Sequence, residues 1–234
     1  MSSATPDFYI IGHRGAAGEK MENSMAGFQH ALKLPIDAIE IDIRDHSESL
    51  WVIHDLKLQR LTGLNGNFDT VTDPGSIQLT NGEPIPTLRE LLDLYWGVKP
   101  VNIEIKAVND LPLLLELLDS YPELPEAPGM PWILISSFNH RALLGLRELD
   151  CSWPLAPLSS GIPLAFDHEL AALDPWSWHF DDEYLDFEQV SYLADRGVKS
   201  LVYTVNDLDR ARTLKQNGVA GVFTDIPTQM LALR

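Results

Sequence analysis

Ile10-Ile11-Gly12-His13-Arg14-Gly15, Ala38-Ile39-Glu40-Ile41-Asp42-Ile43-Arg44 and Trp51-Val52-Ile53-His54-Asp55 are three short apolar runs, each ending in groups able to do chemistry. The middle run decides the fold. Alternate side chains of an extended strand share a face, so Glu40 and Asp42 point one way and Ile39, Ile41 and Ile43 the other. The isoleucines read as the side packed under helices. That sends two carboxylates to the opposite face, where they repel unless something neutralises them; a divalent cation with oxygen ligands is the usual answer. Val101-Asn102-Ile103-Glu104-Ile105-Lys106 repeats the pattern, with Glu104 and Lys106 sharing a face. Carboxylates, lysine, arginine and two histidines together suit phosphate chemistry: metal and cations hold the phosphate, imidazoles move protons.

Outward from these runs, strand and helix signals alternate. Phe8–His13 reads as a strand, with Gly12 and Gly15 bracketing a tight turn around His13-Arg14. Asn23 or Ser24 caps a helix to about Leu34. Strand Ala38–Arg44 is followed by a polar turn over His46–Ser49 and a short strand, Leu50–His54. Leu56–Pro86 is rich in Gly, Asn, Asp, Thr and Pro, and a loop of that length inside a compact domain is a functional excursion. Thr87 and Glu90 make a capping box for a helix to Tyr95. Strands then follow at Val101–Lys106, Trp132–Ser137, Trp153–Leu158, Trp176–Phe180, Ser200–Val205 and Gly221–Thr224. Helices separate them at Leu111–Ser120, His140–Leu149, Phe187–Arg196 and Leu208–Gln216, with a last helix from Pro227. Gly161 and Pro163 weaken the helix signal after Leu158. A proline-rich loop spans Tyr121–Pro131.

With Leu50–His54 assigned to the excursion, eight strands alternate with helices, which implies a parallel sheet. Over 234 residues this is an α/β fold, a closed (β/α)8 TIM barrel forming one domain over residues 1–234, with a small insertion at about 45–86 after the second barrel strand. Sites in such barrels gather at the carboxyl ends of the strands. His13, Glu40–Asp42, Glu104–Lys106, Phe138 and Asn206 all fall there.

The formal net charge of −17 argues against nucleic acid and anionic membranes as partners. It also sets a condition on any anionic substrate. Glu40, Asp42 and Glu104 against Arg14 and Lys106 leave the empty site at −1, and a bound divalent cation brings it to +1, so the metal is needed for binding as well as for polarisation. Cys151 is the only cysteine, which excludes an intrachain disulfide framework. Met1–Asp7 lacks the basic and apolar regions of a secretory signal. No run approaches the roughly 18 apolar residues of a membrane span. The expectation is a cytoplasmic protein with no stable membrane insertion.

His-Arg-Gly at 13–15, Glu-Asn-Ser at 22–24, Ile-Glu-Ile-Asp at 39–42, His-Asp at 54–55, Leu-Gln-Arg-Leu-Thr-Gly at 58–63, Ile-Pro-Thr-Leu-Arg-Glu at 85–90, Ile-Glu-Ile-Lys at 103–106, Ser-Ser-Phe at 136–138, Tyr-Thr-Val-Asn at 203–206 and Thr-Asp-Ile-Pro at 224–227 resemble, in order, the glycerophosphodiester phosphodiesterase family. The resemblance implies a barrel with an insertion over its mouth and a small-molecule glycerophosphodiester substrate, such as glycerophosphocholine, cleaved to glycerol 3-phosphate and an alcohol. It implies Mg2+ or Ca2+ on Glu40, Asp42 and Glu104, phosphate contacts from Arg14 and Lys106, and His13 and His54 as the acid–base pair. Phe138, Tyr203 and Asn206 are expected at the pocket, Asn206 equally as a helix cap. Asp55 either bonds a histidine or shapes the loop. Glu22-Asn23-Ser24 reads as a helix cap, and Trp176 and Trp178 as packing, with cation–π contact to a choline-like head group as the alternative. His30, His46, His140 and His168 read as solvated, while His179 reads equally as pocket or packing. The chain departs from the family pattern at Met21 (usually proline), at Pro35-Ile36, at His46–Ser49 and at Tyr203 (usually tryptophan). None of these removes a proposed ligand or acid–base group. Other readings are a lysophospholipase D-type enzyme on the same barrel, a catalytically silent barrel that binds phosphodiesters, and a phosphosugar-binding barrel. The last wants a Gly-rich phosphate loop after the seventh or eighth strand, which the sequence does not supply.

Overall fold

The inward-facing acids and outward-facing isoleucines take the places their alternation dictates. The structure, a computed structural model, describes residues 8–125 and 129–234; the polar N-terminus and the centre of the proline-rich loop lie outside them. The strands are β1 (Tyr9–Gly12), β2 (Ala38–His46), β3 (Ser49–Val52), β4 (Val101–Ala107), β5 (Ile133–Ser137), β6 (Leu155–Ser159), β7 (Ser177–Asp181), β8 (Lys199–Tyr203) and β9 (Gly221–Thr224). All but β3 join in one parallel ring, closed where β1 pairs with both β2 and β9. The barrel strands are followed in turn by α1 (Met25–Lys33), α3 (Leu88–Tyr95), α4 (Leu111–Asp119), α5 (His140–Glu148), α6 (Asp167–Leu173), α7 (Phe187–Ala194), α8 (Leu208–Gln216) and α9 (Pro227–Met230), and α2 (Gln59–Thr62) lies in the excursion. This is the (β/α)8 barrel with an insertion after its second strand. Among the described residues no helix is long and apolar enough to cross a membrane.

Two apolar layers hold the ring. Ile39, Ile41, Ile43, Ile103 and Ile105 pack outward with Phe28, Leu88, Leu92, Leu114 and Leu118 of the helices. Tyr9, Ile11, Ala38, Leu134, Ala156, Leu201 and Phe223 plug the amino-terminal end of the interior. Above this plug the register sets Glu40 beside Asn102 and Asp42 beside Glu104, so the charged side chains form the next layer up. Burying an aliphatic side chain in such layers contributes about 1.5–3 kcal/mol, and the acids are held where they are by that packing.

Helix ends follow the sequence signals. Ser24 caps α1 by accepting from the Gly27 amide. Thr87 and Glu90 form a reciprocal capping box on α3. The differences lie in the weak stretches. The helix blurred by Gly161 and Pro163 forms later, as α6. The β2 strand continues to His46, so the hairpin turn shrinks to Ser47 and Glu48, both left-handed. The β3 strand stops at Val52, two residues before His54, although the Ile53 amide still donates to the Asp42 carbonyl at 3.0 Å. His54 therefore sits on a loop rather than a strand end. Strand β8 likewise ends at Tyr203, which leaves Asn206 beyond it. The excursion has an apolar cluster of its own, Ile53, Leu58, Leu61, Phe68, Ile77, Leu79 and Ile85. That cluster gives the loop carrying His54 a rigid base.

Gly12 marks where the fold and the His13-Arg14 turn meet. A Cβ there would lie 2.0 Å from the Gly15 carbonyl oxygen, whereas one at Gly63 would meet nothing within 4 Å. Gly12→Ala is therefore expected to cost about 1–3 kcal/mol through overpacking, and Gly63→Ala, strained only by its positive φ, about 1 kcal/mol. Thermal denaturation of the two variants checks the order; equal midpoints would show that the turn gives way freely.

Candidate active site

The loop after β1 is pinned on both sides before it presents any side chain. The His13 amide donates to the Thr224 carbonyl at 2.8 Å and the Gly15 amide to the Glu40 carbonyl at 3.1 Å. Between them Arg14 adopts a left-handed backbone, and its amide donates to Glu40 Oε2 at 2.8 Å. This brings His13 and Arg14 over the carboxyl ends of β2 and β4. A cavity of about 150 Å³ opens there, lined among others by His13, Arg14, Glu40, His54, Glu104, Lys106, Phe138, Tyr203, His179 and Phe223.

Glu40, Asp42 and Glu104 each offer a carboxylate oxygen within 4.8 Å of the others. All three are buried. Two cations reach them: Lys106 Nζ contacts Glu104 Oε1 and lies 3.2 Å from Asp42 Oδ1, and Arg14 Nε lies 3.3 Å from Asp42 Oδ2. Asn23 Nδ2 donates to Asp42 Oδ2 at 2.9 Å. Compensation is thus uneven. Burial works against the Asp42 charge, but Lys106 and Arg14 outweigh it and hold this carboxyl below its ordinary range. Burial and the Asp42 charge push Glu104 up to about 7. Burial, with Asp42 and Glu104 beside it, raises Glu40 well above the carboxylate range. Glu40 Oε1 is buried without a hydrogen-bond partner. Converging carboxylate oxygens, one of them unpartnered, fit a hard divalent cation, which takes oxygen ligands.

Each histidine is held from behind by an aspartate. His13 Nδ1 lies 2.7 Å from Asp225 Oδ1, and His54 Nδ1 lies 2.6 Å from Asp55 Oδ1. An ionised carboxylate only accepts, so each Nδ1 carries the proton and each Nε2 is left as the nitrogen that exchanges. His13 Nε2 lies 3.9 Å from Glu40 Oε2. Burial lowers the His54 pKa against the opposing pull of Asp42 and Asp55. Arg44 donates from Nε and Nη2 to the His54 carbonyl at 3.0 and 2.8 Å and fixes its main chain.

Nine of the ten residues expected at the site are brought together here. Phe138 lies edge-on to Tyr203, with ring centroids 5.7 Å apart, and 5.3 Å beneath Lys106 Nζ. Asn206 stands one step back. Its Nδ2 donates to Asp225 Oδ2 at 2.7 Å, and its Oδ1 accepts from the Asp225 amide at 2.8 Å. It orients the aspartate behind His13 and does not cap α8, which Asp207 caps. His179 is fully buried at the cavity floor, and its burial pushes the imidazole down to about 3. Trp178 packs with Phe166 and Phe180 outside the barrel, and Trp176 lies tilted against Tyr9 with ring centroids 5.9 Å apart.

Three groups escaped the sequence reading. Asp225 sits one residue past β9, in the Thr-Asp-Ile-Pro motif, and that position at a strand end was its only signal. Glu22, read as part of a cap, accepts from Arg14 Nη1 at 2.8 Å. Arg60 bonds both Glu22 and Asp55, and nothing in its local pattern points there.

Comparison with known proteins agrees with this geometry. A family model described as the glycerophosphoryl diester phosphodiesterase family matches residues 13–229. A glycerophosphodiester phosphodiesterase of Bacillus altitudinis is 30% identical over 241 residues, 96% of this chain and 97% of its own. A human lysophospholipase D is 26% identical, over 94% of this chain and 84% of its own. A phosphodiesterase of Oleispira antarctica, solved with its product sn-glycerol 3-phosphate, matches with a TM-score of 0.86 at 27% identity, over 96% of this chain and 95% of that one. The matched span begins at His13 and takes in every barrel strand from β2 onward, and on it the chain belongs to the glycerophosphoryl diester phosphodiesterase family.

Proposed function

We propose that the chain hydrolyses small glycerophosphodiesters such as glycerophosphocholine to glycerol 3-phosphate and a free alcohol, with His13 and His54 as the acid–base pair. One observation supports this most directly. Two imidazoles, each with Nδ1 committed to an aspartate, border one cavity with Glu40, Glu104 and two cations, and Asp42 lies in the same carboxylate cluster. Glu40, Asp42 and Glu104 would hold Mg2+ or Ca2+, which when bound neutralises the carboxylates and polarises a phosphoryl oxygen. Lys106 and Arg14, now engaged with those carboxylates, then have charge to offer the phosphate oxygens, Arg14 through a planar guanidinium suited to two of them.

The proton transfers fall to the histidines. Its lowered pKa makes His54 the uncharged imidazole at neutral pH, suited to take a proton from the nucleophile at Nε2. The nucleophile is water or the neighbouring glycerol hydroxyl. As its oxygen bonds phosphorus, the bond to the leaving oxygen breaks, and His13 delivers a proton from Nε2 to that oxygen. Asp225 and Asp55 stabilise whichever ring is cationic and keep both in plane. Where a cyclic phosphate forms first, the same pair with roles exchanged opens it with water. Phe138 and Tyr203 would offer apolar rings to the carbon skeleton of the substrate.

The reading is tested by glycerol 3-phosphate release from glycerophosphocholine with Mg2+, Ca2+ or EDTA. Release that needs either metal and stops with EDTA is expected; folded protein that releases none with both metals overturns the assignment. Lysophosphatidylcholine in the same assay separates the lysophospholipase D reading.

The acid–base assignment is tested by substitution. His13→Ala and His54→Ala are each expected to lose about 10²–10⁴-fold in rate without loss of fold. Near-wild-type turnover in either variant would remove that histidine from the chemistry.

A further inference from the structure

We infer that Arg60 is a positioning residue for the acid–base machinery, locking the loop that carries His54 onto the loop that carries Arg14. The inference rests on the role given to His54 above. The two loops come from different parts of the chain: Arg14 and Glu22 follow β1, whereas His54, Asp55 and Arg60 belong to the excursion. Arg60 joins them with both edges of its guanidinium. Its Nε and Nη2 donate to Asp55 Oδ2 and Oδ1 at 2.7 and 2.9 Å. Its Nη1 and Nη2 donate to Glu22 Oε2 and Oε1 at 2.5 and 2.8 Å. Glu22 Oε1 in turn accepts from Arg14 Nη1, and Asp55 Oδ1 holds His54 Nδ1.

The chain Arg14–Glu22–Arg60–Asp55–His54 alternates in sign and runs from the phosphate-facing cation to the imidazole. An exposed ion pair alone contributes little, and the Arg60 side chain is 50% exposed. Its partners differ: Glu22 is 13% and Asp55 21% exposed, and both are held in paired, two-pronged geometry of the strong kind. Asp55 is also the only one of these groups that sets the His54 ring plane, since Arg44 holds just the backbone carbonyl. With both Asp55 oxygens gripped by Arg60, the carboxylate keeps one orientation while it holds Nδ1. Misplacing a reacting group by a fraction of an ångström is costly in rate.

Removing Arg60 has a directional consequence. The Asp55 charge loses its counter-charge and acts more fully on the imidazole, so the His54 pKa rises. The other charges facing the ring, Asp42 from β2, Lys106 from β4 and Arg14 from the loop after β1, are unchanged by the substitution.

The test compares wild type, Arg60→Met and Arg60→Lys, each checked for fold by circular dichroism. Turnover of glycerophosphocholine is followed across pH, and the His54 ring is titrated by NMR. Arg60→Met is expected to lose about 10–100-fold in kcat/KM, the usual cost of an outer-shell partner, with the His54 pKa moved up. Arg60→Lys keeps the charge but not the two-edged fork, and is expected to fall between on both measures. Wild-type turnover in Arg60→Met overturns the inference. So does lost turnover with the His54 titration unmoved, which would make Arg60 a brace for the fold alone. If Arg60→Met does not fold, Arg60→Lys decides: a wild-type titration and turnover overturn the inference. The NMR titration requires no turnover, so it stands apart from the proposed reaction.

Discussion

Three carboxylates are buried side by side in the barrel, and their mutual repulsion is the constraint that the surrounding structure answers. Glu40, Asp42 and Glu104 point inward because the isoleucines beside them are committed to the helices, so packing forces the charges together. Two cations and the Arg14 and Asn23 hydrogen bonds answer part of the charge. What is left is visible in the raised Glu40 and Glu104 carboxyls. A carboxyl whose folded pKa lies above its unfolded one binds a proton more readily in the native state. For Glu104 that means stability is fully present below about 4.5 and is lost as pH rises through about 7, by linkage. A cation on the same oxygens would remove that cost at neutral pH, and would so link metal binding to folding.

The histidines illustrate a second division of labour. His13 belongs to the barrel: its loop is bonded to β2 and β9 before its side chain is placed, and Asp225 and Asn206 back it from the last strand. His54 belongs to the excursion and is placed by a small apolar cluster, an arginine on its carbonyl and an aspartate on its ring. Neither imidazole depends on one contact. The cavity is therefore assembled from a rigid ring and a separately packed flap, which is the arrangement that lets one barrel host many chemistries by changing its loops.

Much of this was legible in the chain. The two-residue alternation in Ala38–Arg44 and Val101–Lys106 gave the inward carboxylates directly, because a strand has only two faces. The capping box at Thr87 was legible because its two halves are three residues apart. What escaped was long-range. Asp225 meets His13 across the closure of the ring, and Arg60 meets Glu22 across loops 38 residues apart in sequence; no local period encodes either meeting. Asn206 was read equally as a pocket residue and a helix cap; its work behind Asp225 depends on where β8 stops, and strand ends are set by pairing with neighbours. The α6 helix was blurred by Gly161 and Pro163, which lie before it rather than in it.

The most direct test of the central claim is thermal denaturation of wild type and Glu40→Gln with and without Mg2+ or Ca2+. If the buried carboxylates form a cation site, metal raises the wild-type midpoint, since a ligand at 100-fold its Kd adds about 2.7 kcal/mol to the native state. Without metal, Glu40→Gln is as stable as wild type or more so, because a repelling charge is gone, and its response to metal is lost. A wild-type midpoint that ignores both metals, or an equal rise in Glu40→Gln, would contradict the account.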